Sequence, residues 1–253
     1  MSTEPTQAET PWLSIVVPMK NEAENVAFLT EAIAAACAPY TPFEAIYVDD
    51  ASTDATAAII RGLQSDFPFL RLVRHDMSGG QSAAIHTGVR AARGAVICTL
   101  DGDGQNPPAE IPKLIAKLED RAFLDGIGLV AGQRVGRQDT LSKRWASKAA
   151  NAIRSGLLRD GTRDTGCGLK LFRRDVFLDL PYFDHMHRYL PALFVRDGWG
   201  VTHVDVGHAA RHAGKSNYAN LSRALVGIYD LFGVAWLIRR RKKSRPIEEI
   251  ETN

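Results

Sequence analysis

Apolar and polar positions along this chain alternate between two rhythms. Short apolar runs of strand length occur at Leu13 to Pro18, Phe43 to Asp49, Leu70 to Arg74 and Ala95 to Leu100. Each is followed by a stretch with helical spacing: Glu22 to Ala36, Asp54 to Ser65, Gln81 to Arg93 and Ala109 to Glu119. A further short strand is predicted at Leu129 to Gly132. This β-α-β-α succession predicts an α/β fold, a mostly parallel sheet with helices on both faces. Right-handed crossovers then bring every strand-to-helix loop to one edge of the sheet. The loops gathered there are Pro18 to Glu22, Asp49 to Asp54, Asp76 to Gly80 and Asp101 to Gln105.

The second half is less regular. A helical pattern covers Leu141 to Leu158, and the turn Asp164 to Gly168 leads into a short strand, Leu169 to Phe172. His187 to Arg196 reads as a helix and Val201 to Val206 as a strand. No repeat or linker breaks the chain. The expected organisation is a disordered arm (1–11), one α/β domain (12–218), a helix with a basic cluster (219–245) and a tail (246–253).

Composition acts mainly by exclusion. A net charge of +2 over 253 residues gives no global pull towards nucleic acid. The three cysteines, Cys37, Cys98 and Cys167, have no zinc spacing and read as reduced thiols. The first residues lack the apolar segment of a signal peptide. No apolar stretch reaches the ~18–20 residues needed to span a bilayer. A cytoplasmic protein, peripheral on the inner face of the membrane, is expected.

The chemistry concentrates at Asp101-Gly102-Asp103-Gly104-Gln105, just past an apolar strand. In open α/β sheets ligands bind at the carboxyl ends of strands. Alternate positions of an extended chain point the same way, so Asp101, Asp103 and Gln105 can converge. Three hard oxygen donors suit Mg²⁺ or Mn²⁺. Asp49-Asp50 ends the second strand, where a carboxylate can accept from a base or ribose. Asp54 fits as an N-cap of the next helix. Ser78-Gly79-Gly80 reads equally as an anion site or a plain turn. The chain lacks Gly-x-Gly-x-x-Gly after its first strand and has no P-loop, which disfavours hydride transfer and P-loop hydrolysis. The histidines of the second half match no metal spacing and read as structural.

Pro18-x-x-Asn21-Glu22, Val48-Asp49-Asp50-x-Ser52-x-Asp54 and Asp101-x-Asp103-Gly104-Gln105-x-Pro107 occur in this order. Together they resemble the inverting nucleotide-sugar glycosyltransferases of GT-A fold, and among them the polyprenyl- or dolichol-phosphate mannosyltransferases. Gly132-Gln133-Arg134, Lys143-Arg144, Arg163 to Lys170 and Arg211 to Ser216 add to the resemblance, which spans roughly Leu13 to Arg241. The resemblance implies that Asp101, Asp103 and Gln105 hold a divalent metal on the donor diphosphate. It places Pro18, Glu22 and Asp50, with Asp101, at the nucleotide sugar. It gives Arg134, Arg144, Arg211 and Ser216 to the acceptor phosphate. Asp103, Asp164, Arg134 and Arg211 become the catalytic set, with Asp164 near the sugar or acceptor. The chain departs from the family at Ser216-Asn217, where Ser-Lys is common; Lys215 is the available substitute.

The implied reaction moves a hexose, mannose first and glucose next, from GDP-mannose or UDP-glucose to a polyprenyl phosphate. A glycan or other hydroxyl acceptor is the alternative, with Asp164 as base. A non-catalytic nucleotide-sugar-binding module is the second. A processive synthase is disfavoured because Leu141-Ser142-Lys143-Arg144-Trp145 lacks the leading Gln of Gln-x-x-Arg-Trp. Arg137 and Arg163 read as a solvated basic face. Ala224 to Ile238, followed by Arg239 to Lys243, suits an amphipathic helix on an anionic membrane surface, with Tyr229 and Trp236 at headgroup level, or else a helix packed on the domain or on another copy.

Overall fold

The computed structural model describes residues 10–119, 126–135, 154, 156–158, 160–210, 220–241 and 244. Seven strands form one sheet: β1 (Leu13–Met19), β2 (Phe43–Asp49), β3 (Leu70–Arg74), β4 (Val96–Thr99), β5 (Ile127–Arg134), β6 (Lys170–Arg173) and β7 (Gly200–Val206). The helices are α1 (Val26–Cys37), α2 (Thr56–Leu63), α3 (Gly80–Ala91), α4 (Ile111–Glu119), α5 (Arg174–Leu178), α6 (Leu190–Arg196) and α7 (Asn220–Arg239). The strand order is β3-β2-β1-β4-β6-β5-β7. All neighbours are parallel except β6, which runs against both β4 and β5.

Every strand read from the sequence is present. The near-continuous apolar character of β1 has a physical cause: both faces of the sheet are covered. Leu13, Ile15, Val17 and Met19 join a core with Leu29 and Ile33 of α1, Ile60 of α2 and Leu114 of α4. Val16 faces the other way and joins Ile85 and Val89 of α3, Phe177 of α5, Leu193 of α6 and Val234 of α7. Gly88 of α3 lets helix and sheet meet closely, since a Cβ there would lie 2.4 Å from Val16 Cγ1.

The antiparallel β6 decides what reaches the site. Because β1, β2, β4, β5 and β7 all run one way, their carboxyl ends share an edge. Because β6 runs the other way, its beginning, with the turn from Asp164 to Gly168, lies on that same edge. Lys170 pairs in register with Thr99 of β4 and Ala131 of β5.

The first helix begins at Val26 rather than Glu22, because residues 21–23 are used to join two loops. Asn21 and Glu22 N–H groups donate to Ser52 Oγ and Thr56 Oγ1, both at 2.9 Å, and Ala23 N–H donates to Asp54 Oδ2 at 3.2 Å. Thr53 N–H donates back to Asn21 Oδ1 at 2.8 Å. The N-cap of α2 is Ala55 rather than Asp54; Asp54, one residue earlier, still accepts from Thr56 N–H at 3.0 Å and also bridges to the first loop. Most of the helix expected over 141–158 lies outside the described residues, as do Arg144, Arg211, Ser216, Lys242, Lys243 and nearly all of the arm and tail.

Candidate active site

The carboxyl edge of the sheet brings together Pro18, Glu22, Asp50, Asp101, Asp103, Gln105, Arg134 and Asp164. The loop after β4 is built for close contact. A Cβ on Gly102 would lie 2.6 Å from Met19 Sδ and 2.8 Å from the Pro18 carbonyl oxygen, so the end of β1 packs directly on this loop. Gly104 has φ +74°, a left-handed turn that suits glycine. Asp103 Oδ1 accepts the Gln105 N–H at 3.0 Å, which curls the loop.

Asp101 is held through both carboxylate oxygens. Its Oδ1 accepts from Gln81 Nε2 at 2.7 Å and its Oδ2 from Asn106 Nδ2 at 2.8 Å. A Cβ on Gly168 would come within 2.4 Å of its carboxylate. Burial and then the nearby charge of Asp103 push the Asp101 carboxyl above its ordinary range, against Lys170, the Asn106 hydrogen bond and Arg134. Two carboxylates crowded in one loop would be relieved by a cation. Among the described residues no cluster of three or more His, Cys, Asp or Glu side chains forms. Two carboxylates and an amide instead fit an ion that takes its remaining ligands from phosphates and water.

Next to this loop, Arg134 at the end of β5 grips Asp164 in a two-pronged ion pair. Nε donates to Oδ2 at 2.6 Å and Nη2 to Oδ1 at 2.8 Å. Hydrogen bonding to Asp164 is the main cause of a raised Arg134 pKa. The sequence pointed to both residues but not to their pairing. Lys170 is buried beside them, its Nζ donating to the Cys167 carbonyl. Burial pulls this amine below its ordinary range, against Cys167, Asp101 and Asp164. A lysine inside the apolar run Leu169 to Phe172 was the sequence signal for it. Arg163 donates to Gln133 Oε1 and pairs with Asp205 at 3.2 Å, with its side chain largely exposed, as its solvated reading expects.

Asp50 has more partners than its sequence position suggests. Ser78 Oγ donates to Oδ2 at 2.7 Å, and the N–H groups of Gly79 and Gly80 donate to Oδ1 and Oδ2 at 2.8 and 2.9 Å. His75 Nδ1 lies 2.7 Å from Oδ1. Burial alone would raise this carboxyl, but the bonds from Ser78, His75, Gly79 and Gly80 outweigh it and hold it below the usual range. The turn that read as either an anion site or a plain turn therefore binds an anion from within the chain. A carboxylate offers about four lone-pair sites, and these four donors use them. Asp50 thereby fixes the shape of the turn from Ser78 to Gly80.

A buried pair that the sequence did not reveal supports the Asp164 turn. Arg154 donates through Nη1 and Nη2 to Asp160 and through Nη1 to the Thr162 carbonyl. Thr162 N–H donates to Asp160 Oδ1 at 3.1 Å. Removing one partner of a buried pair strands the other charge. Asp160→Ala is expected to cost about 3–5 kcal/mol in urea unfolding; a loss well under about 1 kcal/mol would contradict this role. After β7, Ala209 N–H donates to the Gln105 carbonyl at 3.1 Å, which ties the residues just after β7 to the carboxylate loop.

A mostly parallel α/β sheet with a carboxylate loop at its carboxyl edge, flanked by guanidinium and ammonium groups, is the frame of a nucleotide-sugar-dependent glycosyltransferase. The sequence profile of glycosyl transferase family 2 matches residues 14–180, and the chain belongs to that family. It is 36% identical over 239 residues to a dodecaprenyl-phosphate galacturonate synthase of Rhizobium johnstonii, covering 92% of this chain and 69% of that one. It is 33% identical over 221 residues to an undecaprenyl-phosphate 4-deoxy-4-formamido-L-arabinose transferase of Photorhabdus laumondii, covering 87% of this chain and 66% of that one. The chain thus spans about two thirds of the length of these relatives. The GT-A fold is shared with glucosyl-3-phosphoglycerate synthase of Mycobacterium tuberculosis, in complex with Mn²⁺, UDP and glucosyl-3-phosphoglycerate. The TM-score is 0.66 at 20% identity, covering 92% of this chain and 81% of that one. A Pyrobaculum calidifontis mannosyltransferase with GDP-Man and Mn²⁺ superposes with TM-score 0.62 at 20% identity, covering 93% and 66%.

Proposed function

We propose that this chain transfers a sugar, with inversion, from a nucleotide sugar to a polyprenyl phosphate. The observation that carries this reading is the Asp101–Asp103 loop lying beside the Arg134–Asp164 pair on one sheet edge. Asp101, Asp103 and Gln105 would hold Mg²⁺ or Mn²⁺, which when bound neutralises the charge of the departing diphosphate. Pro18 and Glu22 line the nucleoside side, where Asp50 fixes the loop. Arg134, with Arg144, Arg211 and Ser216 outside the described residues, is assigned to phosphate.

In the transfer an acceptor oxygen forms a bond to the anomeric carbon as the bond from that carbon to the diphosphate oxygen breaks. A phosphate monoester has a second pKa of about 6, so it arrives as an anion and needs no general base. A hydroxyl acceptor would need one, and Asp164 was the candidate. Both of its oxygens face Arg134, which supports the phosphate acceptor. The two intact carboxylates weigh against an idle binding module. Mannose and then glucose are the first donors to try, and the relatives widen the panel to galacturonate and 4-deoxy-4-formamido-L-arabinose. With such a panel, label is expected on undecaprenyl phosphate and not on undecaprenol. Equal transfer to the alcohol would move the reading to a hydroxyl acceptor.

The C-terminal helix supports a membrane-borne acceptor at the inner face of the membrane. One side of α7 packs on the domain: Val234 is buried, Tyr189 Oη donates to the Gly227 carbonyl at 3.2 Å, and Arg196 Nε donates to the Leu237 carbonyl at 3.0 Å. Its other side exposes Val226, Tyr229, Phe232 and Trp236, and Arg239 to Arg241 follow. The packed side leaves the opposite side of the helix to meet a membrane surface in the proposed reading. Among the described residues no helix is long and apolar enough to cross a membrane. Basic residues near an anionic surface contribute about 1 kcal/mol each. The double variant Phe232→Ser, Trp236→Ser is expected to release the protein from phosphatidylglycerol vesicles in a flotation assay. Unchanged flotation would leave α7 a packing helix only.

A further inference from the structure

The start of α3 touches both ends of the proposed donor site. The N–H groups of Gly79 and Gly80 hold Asp50, at the end of β2. The next side chain, Gln81, reaches the loop after β4, where its Nε2 donates to Asp101 Oδ1 at 2.7 Å. Asn106 holds the other oxygen. The turn itself is fixed. Gly80 has φ +81°, and Ser82 Oγ lies 2.7 Å from His187 Nδ1 on the side of α3 that faces the 183–190 segment.

The chemistry of this contact favours an amide. Glutamine supplies a donor to a carboxylate without adding charge. A lysine there would place a competing cation beside Asp101, and a glutamate would add a third carboxylate and remove the donor. We propose that Gln81 is a positioning residue for donor binding. It orients the Asp101 carboxylate towards the cation and locks the diphosphate loop to the loop that Asp50 shapes. This rests on the reading of Asp101, Asp103 and Gln105 as a cation site. Partners that orient a metal ligand typically change metal affinity 10–100-fold when removed.

The test is Mn²⁺ titration of the full chain, read from the electron paramagnetic resonance signal of the free ion with UDP or GDP present. Wild type, Gln81→Ala, Gln81→Met and Asp103→Ala are compared, with thermal melting in parallel. Gln81→Met keeps the length and loses only the donor, so it carries the test where the shorter variant fails to fold. Both Gln81 variants are expected to weaken Mn²⁺ binding by about 10-fold or more, while metal-free binding of the nucleoside monophosphate is unchanged. Wild-type Mn²⁺ affinity in Gln81→Met, with binding lost in Asp103→Ala, would overturn the role of Gln81 and leave the cation site standing. Wild-type affinity in Asp103→Ala would overturn the cation site and the Gln81 role with it. An equal loss of metal-free nucleoside binding in Gln81→Met would mark Gln81 as merely structural and overturn the proposal.

Discussion

Replacing Asp103 with alanine is expected to lower the transfer rate by at least about 10³-fold while the fold survives. The side chain is nearly buried, and its Oδ1 accepts the Gln105 N–H. Losing a hydrogen bond of that kind costs about 1 kcal/mol. The same change removes the like charge that, after burial, pushes the Asp101 carboxyl up. These two effects on stability oppose each other, so the melting temperature should move little. In the proposed reading, what is lost is an oxygen donor to the cation that would neutralise the leaving diphosphate. Initial rates at fixed donor, with circular dichroism melts beside them, check both halves. An Asp103→Ala protein with wild-type turnover would contradict the assignment of this loop.

Gly168→Ala is the second large effect, and it comes from space rather than charge. The added methyl would sit 2.4 Å from three atoms of the Asp101 carboxylate. The turn cannot simply back away, because the Gly168 carbonyl accepts from Thr99 Oγ1 at 2.8 Å and β6 begins two residues on. Asp101 must therefore move, against the grip of Gln81 and Asn106. A displacement of about 1 Å at a reacting site can cost 10²-fold in rate, and overpacking costs about 1–3 kcal/mol in stability. The expected result is a loss of about 10²-fold or more in kcat with a lowered melting temperature. Wild-type kcat would show that Asp101 does not need its observed position.

The sequence made the sheet legible because apolar runs of strand length alternate with helical spacing. The edge where the site lies follows from crossover handedness. The loops proposed to hold the donor were readable for the same reason: each motif stands immediately after a strand. Partnerships across the edge were not readable. Asp50 is bound by His75, Ser78, Gly79 and Gly80, which the next β-α unit delivers to it. Nothing local to Val48-Asp49-Asp50 announces those partners. Arg134 and Asp164 could each be picked out, yet their pairing depends on the antiparallel β6 returning the Asp164 turn to the end of β5. Arg154 and Asp160 gave no signal, since a buried pair looks like two surface charges until both are placed. Lys170 did give one, as a charge in the middle of an apolar strand. The helix start at Val26 moved because residues 21–23 bond to the neighbouring loop instead of starting a helical turn.

The most direct test of the account is transfer of radiolabelled sugar from nucleotide-sugar donors to undecaprenyl phosphate, with Mg²⁺ or Mn²⁺ and with chelator. The expected result is label in the lipid phase that chelator abolishes. Label that persists undiminished in chelator would contradict the cation site at Asp101, Asp103 and Gln105. Metal-dependent binding of nucleotide sugar with no label in the lipid phase from any donor would contradict the polyprenyl-phosphate acceptor.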